Sequence, residues 1–192
     1  MLTDDVRRAA FRLLLSSRAP ITAAELADQL GQPTDQVRGA LKTLHEQGLL
    51  RVNAARQIIG AAGLSIQPDR HQVDLDGHRY WTWCAYDILG IFAALGATGH
   101  AYSTTPDTGQ AVDVQFRDGT PQPTQLVLFL PDDDPDRCTS AYDQWCPNSN
   151  LFHSAEAAQR WAAAHGITGQ VLTLTQAAER GGARWRPLTA AT

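Results

Sequence analysis

The centre of the chain reads Tyr80-Trp81-Thr82-Trp83-Cys84-Ala85-Tyr86-Asp87 and continues into the apolar segment Ile88-Leu89-Gly90-Ile91-Phe92-Ala93-Ala94-Leu95. The second segment is apolar nearly all round, which predicts a helix buried on every side. Residues three positions apart lie on one face of a helix, so Cys84 and Asp87 can share a pocket. We therefore expect a thiol and a carboxylate side by side in the protein core.

Two interpretations of Cys84 remain open from this stretch alone. Most free cysteines are inert, small, buried hydrophobic residues. If Cys84 lies in the first turn of the buried helix, however, the helix dipole and free backbone N–H groups lower its pKa toward the thiolate. The carboxylate of Asp87 opposes that ionisation, and opposed tendencies in one pocket favour proton transfer between the two groups.

A second cysteine lies in the segment Trp145-Cys146-Pro147-Asn148, which has the composition of a loop next to aromatic residues. The chain contains no Cys-x-x-Cys pair, so a structural zinc site fits poorly. Two thiolates suit a soft metal ion that accepts two ligands. The remaining cysteine, Cys138, follows an acidic turn and is either a spare metal ligand or a loop thiol, of which the loop thiol is favoured.

Composition bounds the class of protein. The chain has 192 residues, a formal net charge of −4 and 43% hydrophobic residues, enough for one compact domain or a small domain joined to a larger one. This charge provides no global field for nucleic acid or anionic membrane. The odd cysteine count argues against a disulfide framework, and neither a signal-peptide pattern nor an apolar run of roughly 18–20 residues is present. We therefore expect a reduced, cytoplasmic protein.

Residues 1–56 are predicted to form a winged-helix-like helical region. The pattern is helix, helix-turn-helix and short strand, with a capping box at the second helix and a glycine after it. The segments are Val6–Leu14, Thr22–Leu30, Thr34–Gly48 and Leu49–Val52.

The third of these helices is the candidate recognition helix of a DNA-binding module. Arg38, Lys42 and His45 are balanced by Asp35 and Glu46, which is a weak basic footprint for phosphate binding. A role as a packing or dimer surface is therefore favoured over DNA binding.

Residues 57–192 are predicted to form a second unit of strands and helices. The expected fold class is α+β, with the helical N-terminal part packed against a mixed β-sheet core and flanking helices. Strands are predicted at 58–60, 64–66, 72–75, 111–116, 125–130 and 171–174, with an Asp-Gly turn at 76–77, a helix at 155–165 capped by Ser154, and a frayed C-terminus.

These residues resemble the bacterial organomercurial lyase (alkylmercury lyase) family. The resemblance begins at Ile58-Ile59-Gly60, is most specific at Trp83-Cys84-Ala85-Tyr86-Asp87-Ile88-Leu89, and continues at Cys146 with Leu151-Phe152-His153-Ser154. It implies an enzyme that cleaves carbon–mercury bonds by protonolysis, giving a hydrocarbon and mercury(II). By the same resemblance, Cys84, Asp87 and Cys146 are the catalytic residues, the two cysteines hold mercury, and residues 57–192 are the catalytic core.

The resemblance also carries expectations about cofactors and partners. No cofactor is implied, because mercury(II) is the bound product and exogenous thiols of low molecular weight remove it. A mercuric reductase that accepts mercury(II) is a further candidate partner, and neither nucleic acid nor membrane is expected. One departure from the family is that members often carry another cysteine in the segment corresponding to 100–109, where this chain has none.

Two alternatives from other functional classes stay open. The chain could be a thiol-based metal-sensing winged-helix transcriptional regulator, although a regulator needs a basic recognition helix and has no use for Asp87 beside Cys84. It could also be a non-catalytic relative that binds mercury or another soft metal without turnover. Asp87→Asn separates this carrier from a lyase, because metal binding survives the substitution and bond cleavage does not.

Overall fold

A computed structural model describes residues 1–189 of the chain. The α-helices in this range are α1 (Leu2–Ser17), α2 (Ala23–Leu30), α3 (Thr34–Glu46), α4 (Ala85–Leu95), α5 (Ala155–His165) and α6 (Leu174–Thr189). The strands are β1 (Leu50–Val52), β2 (Ile58–Ala61), β3 (Leu64–Ser65), β4 (His71–Leu75), β5 (His78–Thr82), β6 (Gly99–Thr104), β7 (Ala111–Arg117), β8 (Thr120–Pro121), β9 (Val127–Pro131), β10 (Asn150–Phe152) and β11 (Gly169–Thr173). Within residues 1–189, none of the helices has the length and apolar character needed to cross a membrane.

The strands form one large and one small sheet. The large sheet has eight strands in the order β1-β2-β3-β5-β4-β6-β7-β8, and the small sheet has three in the order β10-β9-β11. Helices and sheets that share one core make this an α+β fold, as predicted. Every strand pair within the described residues is antiparallel, where we expected a mixed sheet. Short hairpins account for much of this pairing, and a tight hairpin can join only antiparallel strands.

The N-terminal helices begin and end close to the predicted positions. Thr22 and Glu25 form the capping box of α2, and Gly31 ends that helix in the left-handed conformation. The large sheet then continues across the predicted boundary at residues 56 and 57, because β1 pairs with β2 on the other side of it. The N-terminal region and the rest of the chain therefore share a sheet.

Helix α4 is the centre of the molecule. Most of its residues, from Ala85 to Phe92, are buried, as its apolar sequence predicts. It contacts α6 along its length and also meets strands of both sheets. The closest approach to α6 is at Gly90 and Gly181, where a side chain on either residue would overlap the other helix. Full burial of each large side chain here stabilises the fold by about 1.5–3 kcal/mol.

The C-terminal segment differs from prediction. We expected a last strand at 171–174 followed by a frayed end, but the strand ends at Thr173 and Leu174 begins helix α6. The helix starts at a capping arrangement, in which Thr173 Oγ1 accepts from the Gln176 backbone N–H at 3.2 Å. Gly181, Gly182 and Pro187 lower the helix propensity of the segment, whereas packing against α4 stabilises it. Tertiary contact therefore overrides local propensity here.

Candidate active site

The junction between β5 and α4 brings Cys84 and Asp87 together. The aromatic stretch does not belong to the helix: Tyr80–Thr82 completes β5, and Cys84 is the extended residue before the first turn of α4. Asp87 is the third helical residue, and its Oδ2 accepts a hydrogen bond from the Cys84 backbone N–H at 2.9 Å. The pair forms a reciprocal capping box with a cysteine in place of the usual serine or threonine. The capping geometry itself therefore holds the thiol and the carboxyl in contact.

Cys146 reaches the same place from a distant part of the chain. It begins a single 3₁₀ turn, Cys146–Asn148, that follows a π-helical turn at Ala141–Trp145. The backbone N–H of Ala85 donates to the carbonyl of Ser149 at 3.1 Å, which fixes this turn against the start of α4. As a result, one ligand atom from each of Cys84, Asp87 and Cys146 lies within 4.8 Å of the others.

Burial controls the protonation of this cluster. Cys84 is 0% exposed, Asp87 4% and Cys146 5%. Burial, then the neighbouring Cys146 and Asp87, raise the pKa of the Cys84 thiol well above its ordinary value, so the lowered pKa considered from the sequence is wrong. Desolvation outweighs the helix terminus because the thiolate would be formed away from water and beside a carboxylate.

Asp87 is affected in the same direction. Burial raises its pKa to about 6, although hydrogen bonds from Cys84 and the charges of Arg184 and Arg70 oppose that shift. A carboxyl with this pKa exchanges its proton near neutral pH, whereas the adjacent thiol stays protonated. The cluster thus combines two thiol donors with one proton carrier.

The turn between β2 and β3 belongs to the site and was not identified from the sequence. Ala62 and Gly63 both have positive φ, 49° and 89°, as in a two-residue hairpin turn. A Cβ atom on Gly63 would overlap the carboxyl group of Asp87, so only glycine lets the backbone lie against it. Ala-Gly is a weaker turn signal than Asn-Gly or Asp-Gly, which is why the sequence did not reveal this turn.

A small apolar cavity of about 50 Å³ opens onto the cluster. Asp87 and Cys146 form part of its wall, together with Trp83, Tyr86, Trp145 and Trp185. Two of the indoles are fixed by hydrogen bonds to backbone carbonyls, Trp185 Nε1 to Ala62 at 2.8 Å and Trp145 Nε1 to Asp133 at 2.7 Å. The aromatic walls leave room for a small apolar group beside the thiol.

A polar network behind the cavity joins three parts of the chain. Arg70 donates to the carbonyls of Trp83 at 2.9 Å and Tyr142 at 3.2 Å, and Tyr142 Oη donates to Asp69 at 3.1 Å. The guanidinium groups of Arg51 and Arg70 lie 4.4 and 4.3 Å from the centre of the Tyr142 ring. These contacts tie β1 and the segment before β4 to the turn that precedes Cys146. None of these residues carried a sequence signal, since their partners are distant along the chain.

Cys138 is separate from the cluster. It lies just after the 3₁₀ turn Pro135–Arg137, is half-buried, and its thiol donates to the Asp134 carbonyl at 3.6 Å. It is not one of the residues whose ligand atoms converge with those of Cys84. Its position matches the predicted loop thiol.

Comparison with known proteins gives two family matches. The model of the family described as alkylmercury lyase matches residues 64–185, and that of the IclR helix-turn-helix domain matches residues 9–54. The second match covers α2, α3 and β1 completely and just over half of α1. The first covers Cys84, Asp87 and Cys146.

Individual proteins agree with the first match. An alkylmercury lyase of Staphylococcus epidermidis is 30% identical over 187 residues, covering 91% of this chain and 82% of that protein. One from Streptomyces lividans is 29% identical, covering 93% and 79%. The crystal structure of the mercury-bound form of MerB2 superposes with a TM-score of 0.86 at 26% identity, covering 98% of this chain and 91% of the other.

Fold and sequence therefore agree over nearly the whole of this chain, and the family model spans the segment that holds both buried thiols and the buried carboxyl. On these grounds the chain belongs to the alkylmercury lyase family.

Proposed function

We propose that this chain is an organomercurial lyase that cleaves carbon–mercury bonds by protonolysis, with Cys84, Asp87 and Cys146 as its catalytic residues. The observation that carries the proposal is the convergence of two buried thiols and a buried carboxyl within 4.8 Å beside a small apolar cavity. Thiolates bind soft metals, and a carboxyl whose pKa is near 6 exchanges protons at neutral pH. Mercury is the substrate's reacting atom rather than a resident cofactor.

The first step is capture of the organomercurial by one thiol. Cys146 forms part of the cavity wall, whereas Cys84 lies behind it and is fully buried. We therefore assign the first sulfur–mercury bond to Cys146. Its thiol proton goes to the ligand that mercury releases, usually a thiolate, and the organic group stays on the metal.

The second step breaks the carbon–mercury bond. Cys84 hydrogen-bonds to Asp87, whose carboxylate takes the thiol proton and delivers it to the carbon. The Cys84 sulfur then forms the second bond to mercury, and the carbon–mercury electron pair becomes the new carbon–hydrogen bond. Two thiol protons are consumed, one on the departing ligand and one on the hydrocarbon, and mercury(II) remains between the two sulfurs.

Turnover requires removal of mercury(II). Two external thiols can displace the protein sulfurs and return both protons to them, so low-molecular-weight thiols are the proposed partners, with a mercuric reductase as a further acceptor. The oxidation state of mercury does not change, so this chemistry uses no redox cofactor. Three free cysteines also fit a reducing compartment, for which we propose the cytoplasm.

We propose different roles for the N-terminal region and for the rest of the chain. Residues 57–192 form the catalytic core and residues 1–56 a winged-helix-like module that packs against it. On α3, Arg38 pairs with Asp35 at 3.1 Å and Lys42 with Glu46 at 3.9 Å, so these basic groups are partly neutralised by their own helix. This pairing argues against DNA as the main partner.

The test measures hydrocarbon release and mercury binding in one experiment. Methylmercury and phenylmercury are supplied with excess thiol to the wild type and to Cys84→Ser, Asp87→Asn and Cys146→Ser, all in a Cys138→Ser background. Removing Cys138 matters because a half-buried loop thiol also binds organomercury. We expect hydrocarbon from the Cys138→Ser protein and none above the solution rate from the three further variants.

Native mass spectrometry then separates capture from cleavage. Cys84→Ser and Asp87→Asn should retain an intact methylmercury adduct on Cys146, whereas Cys146→Ser should form it much more slowly. Stoichiometric mercury binding without hydrocarbon from the parent protein would favour the non-catalytic carrier and end the lyase proposal.

A further inference from the structure

The opening of the catalytic cavity carries two arginines. Exposure rises from the cluster outward, since the Arg184 side chain in the cavity wall is 35% exposed, against 5% or less at the three cluster residues. Arg7 from α1 and Arg184 from α6 both line the cavity at this outer end, next to Pro135. A substrate that reaches Cys146 by this route passes two guanidinium groups.

These two guanidinium groups are not fully neutralised by the protein. Arg184 Nη2 donates to Asp136 Oδ1 at 2.8 Å. Among the described residues Arg7 has no carboxylate within ion-pair distance, and its buried Nε has no hydrogen-bond partner. Asp4, the other carboxylate that acts on Arg7, pairs with the N-terminal amine at 3.4 Å.

Leaving a guanidinium in this position is unfavourable without a ligand. Burial lowers the pKa of Arg7, and Arg184 acts in the same direction, while Asp136 opposes them. An arginine still keeps its charge at neutral pH, and the buried Nε–H of Arg7 lacks an acceptor that would compensate its desolvation. The planar fork of donors of a guanidinium matches the two oxygens of a carboxylate with two parallel hydrogen bonds.

We propose that Arg7 and Arg184 form a carboxylate-binding mouth, so that the chain prefers organomercurials carrying a carboxylate beyond the mercury atom. The carboxylate can belong to the thiolate ligand that delivers mercury or to the organic group itself. The inference rests on the proposed lyase function for its substrate, but the mouth also acts on thiols that remove mercury(II). In both directions the exchange is balanced, because one sulfur–mercury bond forms as another breaks and a thiol proton moves from the arriving to the departing sulfur.

The first experiment compares two carriers of the same organomercurial. Methylmercury is supplied as its mercaptoacetate adduct or its 2-mercaptoethanol adduct, and kcat/KM is measured for each. The two thiols differ in intrinsic affinity for mercury. The readout is therefore kcat/KM with the mercaptoacetate adduct divided by kcat/KM with the 2-mercaptoethanol adduct, and this ratio in each variant is compared with the ratio in wild type. We expect Arg7→Gln and Arg184→Gln each to lower this ratio about five-fold at low salt, the effect of one partly exposed ion pair.

Two further variants guard against a purely structural effect. Asp136→Asn removes the carboxylate that competes for Arg184 and should raise the ratio, a gain that misfolding cannot produce. Arg8→Gln removes the same charge from the next residue of α1, whose side chain faces the groove between α1 and α2, and should leave the ratio unchanged. Added salt should reduce the wild-type ratio toward that of Arg7→Gln.

A second arm identifies the source of the carboxylate. With 2-mercaptoethanol as the only thiol, 4-carboxyphenylmercury is compared with phenylmercury. If the preference for 4-carboxyphenylmercury over phenylmercury depends on Arg7, the mouth binds a carboxylate on the organic group. If only the preference for the mercaptoacetate adduct in the first experiment depends on Arg7, the mouth binds the carboxylate of the carrier thiol. Ratios unaltered by Arg7→Gln, Arg184→Gln and Asp136→Asn in both arms would overturn the proposal.

A third arm does not depend on lyase activity. The protein is loaded with mercury(II), and the rate of its removal by mercaptoacetate is compared with that by 2-mercaptoethanol. We expect the same dependence on Arg7, Arg184 and Asp136. If no hydrocarbon is released but the ratio of the two removal rates still depends on these residues, the lyase function is wrong and the carboxylate-binding mouth stands. If the ratio of the two removal rates is the same in wild type and in every variant, the mouth is rejected and the lyase function is unaffected.

Discussion

Burial sets the proton chemistry at the scale of single residues. The pKa of Asp87 is raised to about 6 because its ionised form is desolvated. Desolvation also raises the pKa of the Cys84 thiol well above its ordinary value. The Cys84 thiol therefore keeps its proton at neutral pH, so the transfer of that proton depends on a base. In the proposed mechanism Asp87 is that base, and its titration therefore controls the rate.

A first prediction concerns the pH dependence of cleavage. Below pH 6 the Asp87 carboxyl is protonated in the free protein and cannot accept the Cys84 proton. We expect kcat/KM for methylmercury to rise about ten-fold per pH unit up to a bend near 6 and then level off. A rate constant independent of pH between about 4.5 and 8, measured with buffers that do not bind mercury, would contradict Asp87 as the base.

The same shift predicts an effect on stability. The folded-state pKa of about 6 lies above the ordinary 3.8, so the folded protein binds more protons between these values and loses stability as pH rises through them. The loss by pH 7.5 is about 3 kcal/mol for a fully buried group. Asp87→Asn cannot ionise, so we expect it to be more stable than wild type at pH 7.5 by about 1–3 kcal/mol, after allowing for its weaker hydrogen bond to the Cys84 N–H.

Urea unfolding at pH 4 and pH 7.5 measures this difference. Asp35→Asn is the control, because that side chain is 93% exposed and its replacement should shift stability by less than about 0.5 kcal/mol. If Asp87→Asn is less stable than wild type by the same amount at both pH values, this prediction is wrong. The hydrogen bonds of the Asp87 carboxylate would then stabilise the fold by more than its desolvation destabilises it.

At the scale of elements, a hairpin turn and a helix start are built against each other. The β2–β3 turn presents Gly63 to the Asp87 carboxyl, the Gly63 carbonyl accepts from the Trp83 N–H at 3.1 Å, and the Ala62 carbonyl accepts from Trp185. Three elements therefore fix the position of one carboxyl group.

Gly63→Ala tests how closely the turn and the carboxyl must fit. Its new methyl group would overlap Asp87 in addition to straining a backbone with φ of 89°, so we expect a loss of at least about 3 kcal/mol of stability and of most hydrocarbon release. Gly77→Ala is the matched control, since its φ is 80° in another two-residue turn but no atom lies within 4 Å of the added Cβ.

For Gly77→Ala we expect only the backbone strain of about 1–2 kcal/mol and unchanged cleavage per folded molecule. Thermal unfolding and the hydrocarbon assay on the same samples distinguish the two variants. Equal losses of stability and activity in both would show that contact with Asp87 is unimportant.

At the scale of the whole molecule, the N-terminal region contributes to the wall of the candidate site. Strand β1 pairs with β2, α1 packs on β2 and α6, and Leu49 and Arg7 reach the cavity. The turn at Gly48 lies against the segment that leads to Cys146, with 2.9 Å between its ideal Cβ position and the Ala141 nitrogen. The helices that resemble a DNA-binding module therefore hold one wall of the site.

Removal of residues 1–56 should consequently abolish the fold of the remainder. We expect residues 57–192 alone to lack cooperative thermal unfolding by circular dichroism and to release no hydrocarbon, because β2, α6 and the Cys146 turn lose their supporting surfaces. A double substitution of Arg38→Gln and Lys42→Gln on the exposed face of α3 should leave folding and activity intact. A truncated protein that unfolds cooperatively and cleaves methylmercury would instead make residues 1–56 an independent appendage.

Much of the architecture was predictable because its causes are local. Helix α4 follows from an apolar run, α2 from its capping box and end glycine, and the β4–β5 turn from Asp76-Gly77. The Cys84–Asp87 pair was predictable for a related reason. Their spacing of three residues brings the two side chains together whether Cys84 lies in the first turn of the helix or is the capping residue before it. Helix α6 was missed because two glycines and a proline mask a segment that packing against α4 makes helical.

The sequence by itself determined which chemical groups the site contains: two thiols, one carboxyl and the aromatic residues around them. Only the tertiary structure decided how those groups are protonated, how Cys146 approaches Cys84, and which glycine turn and arginines surround them. The physical reason is that pKa values depend on desolvation and on neighbours contributed by distant segments, whereas helix capping and apolar patterning depend on residues within a few positions. The identity of the groups is local information, and their environment is a property of the folded molecule.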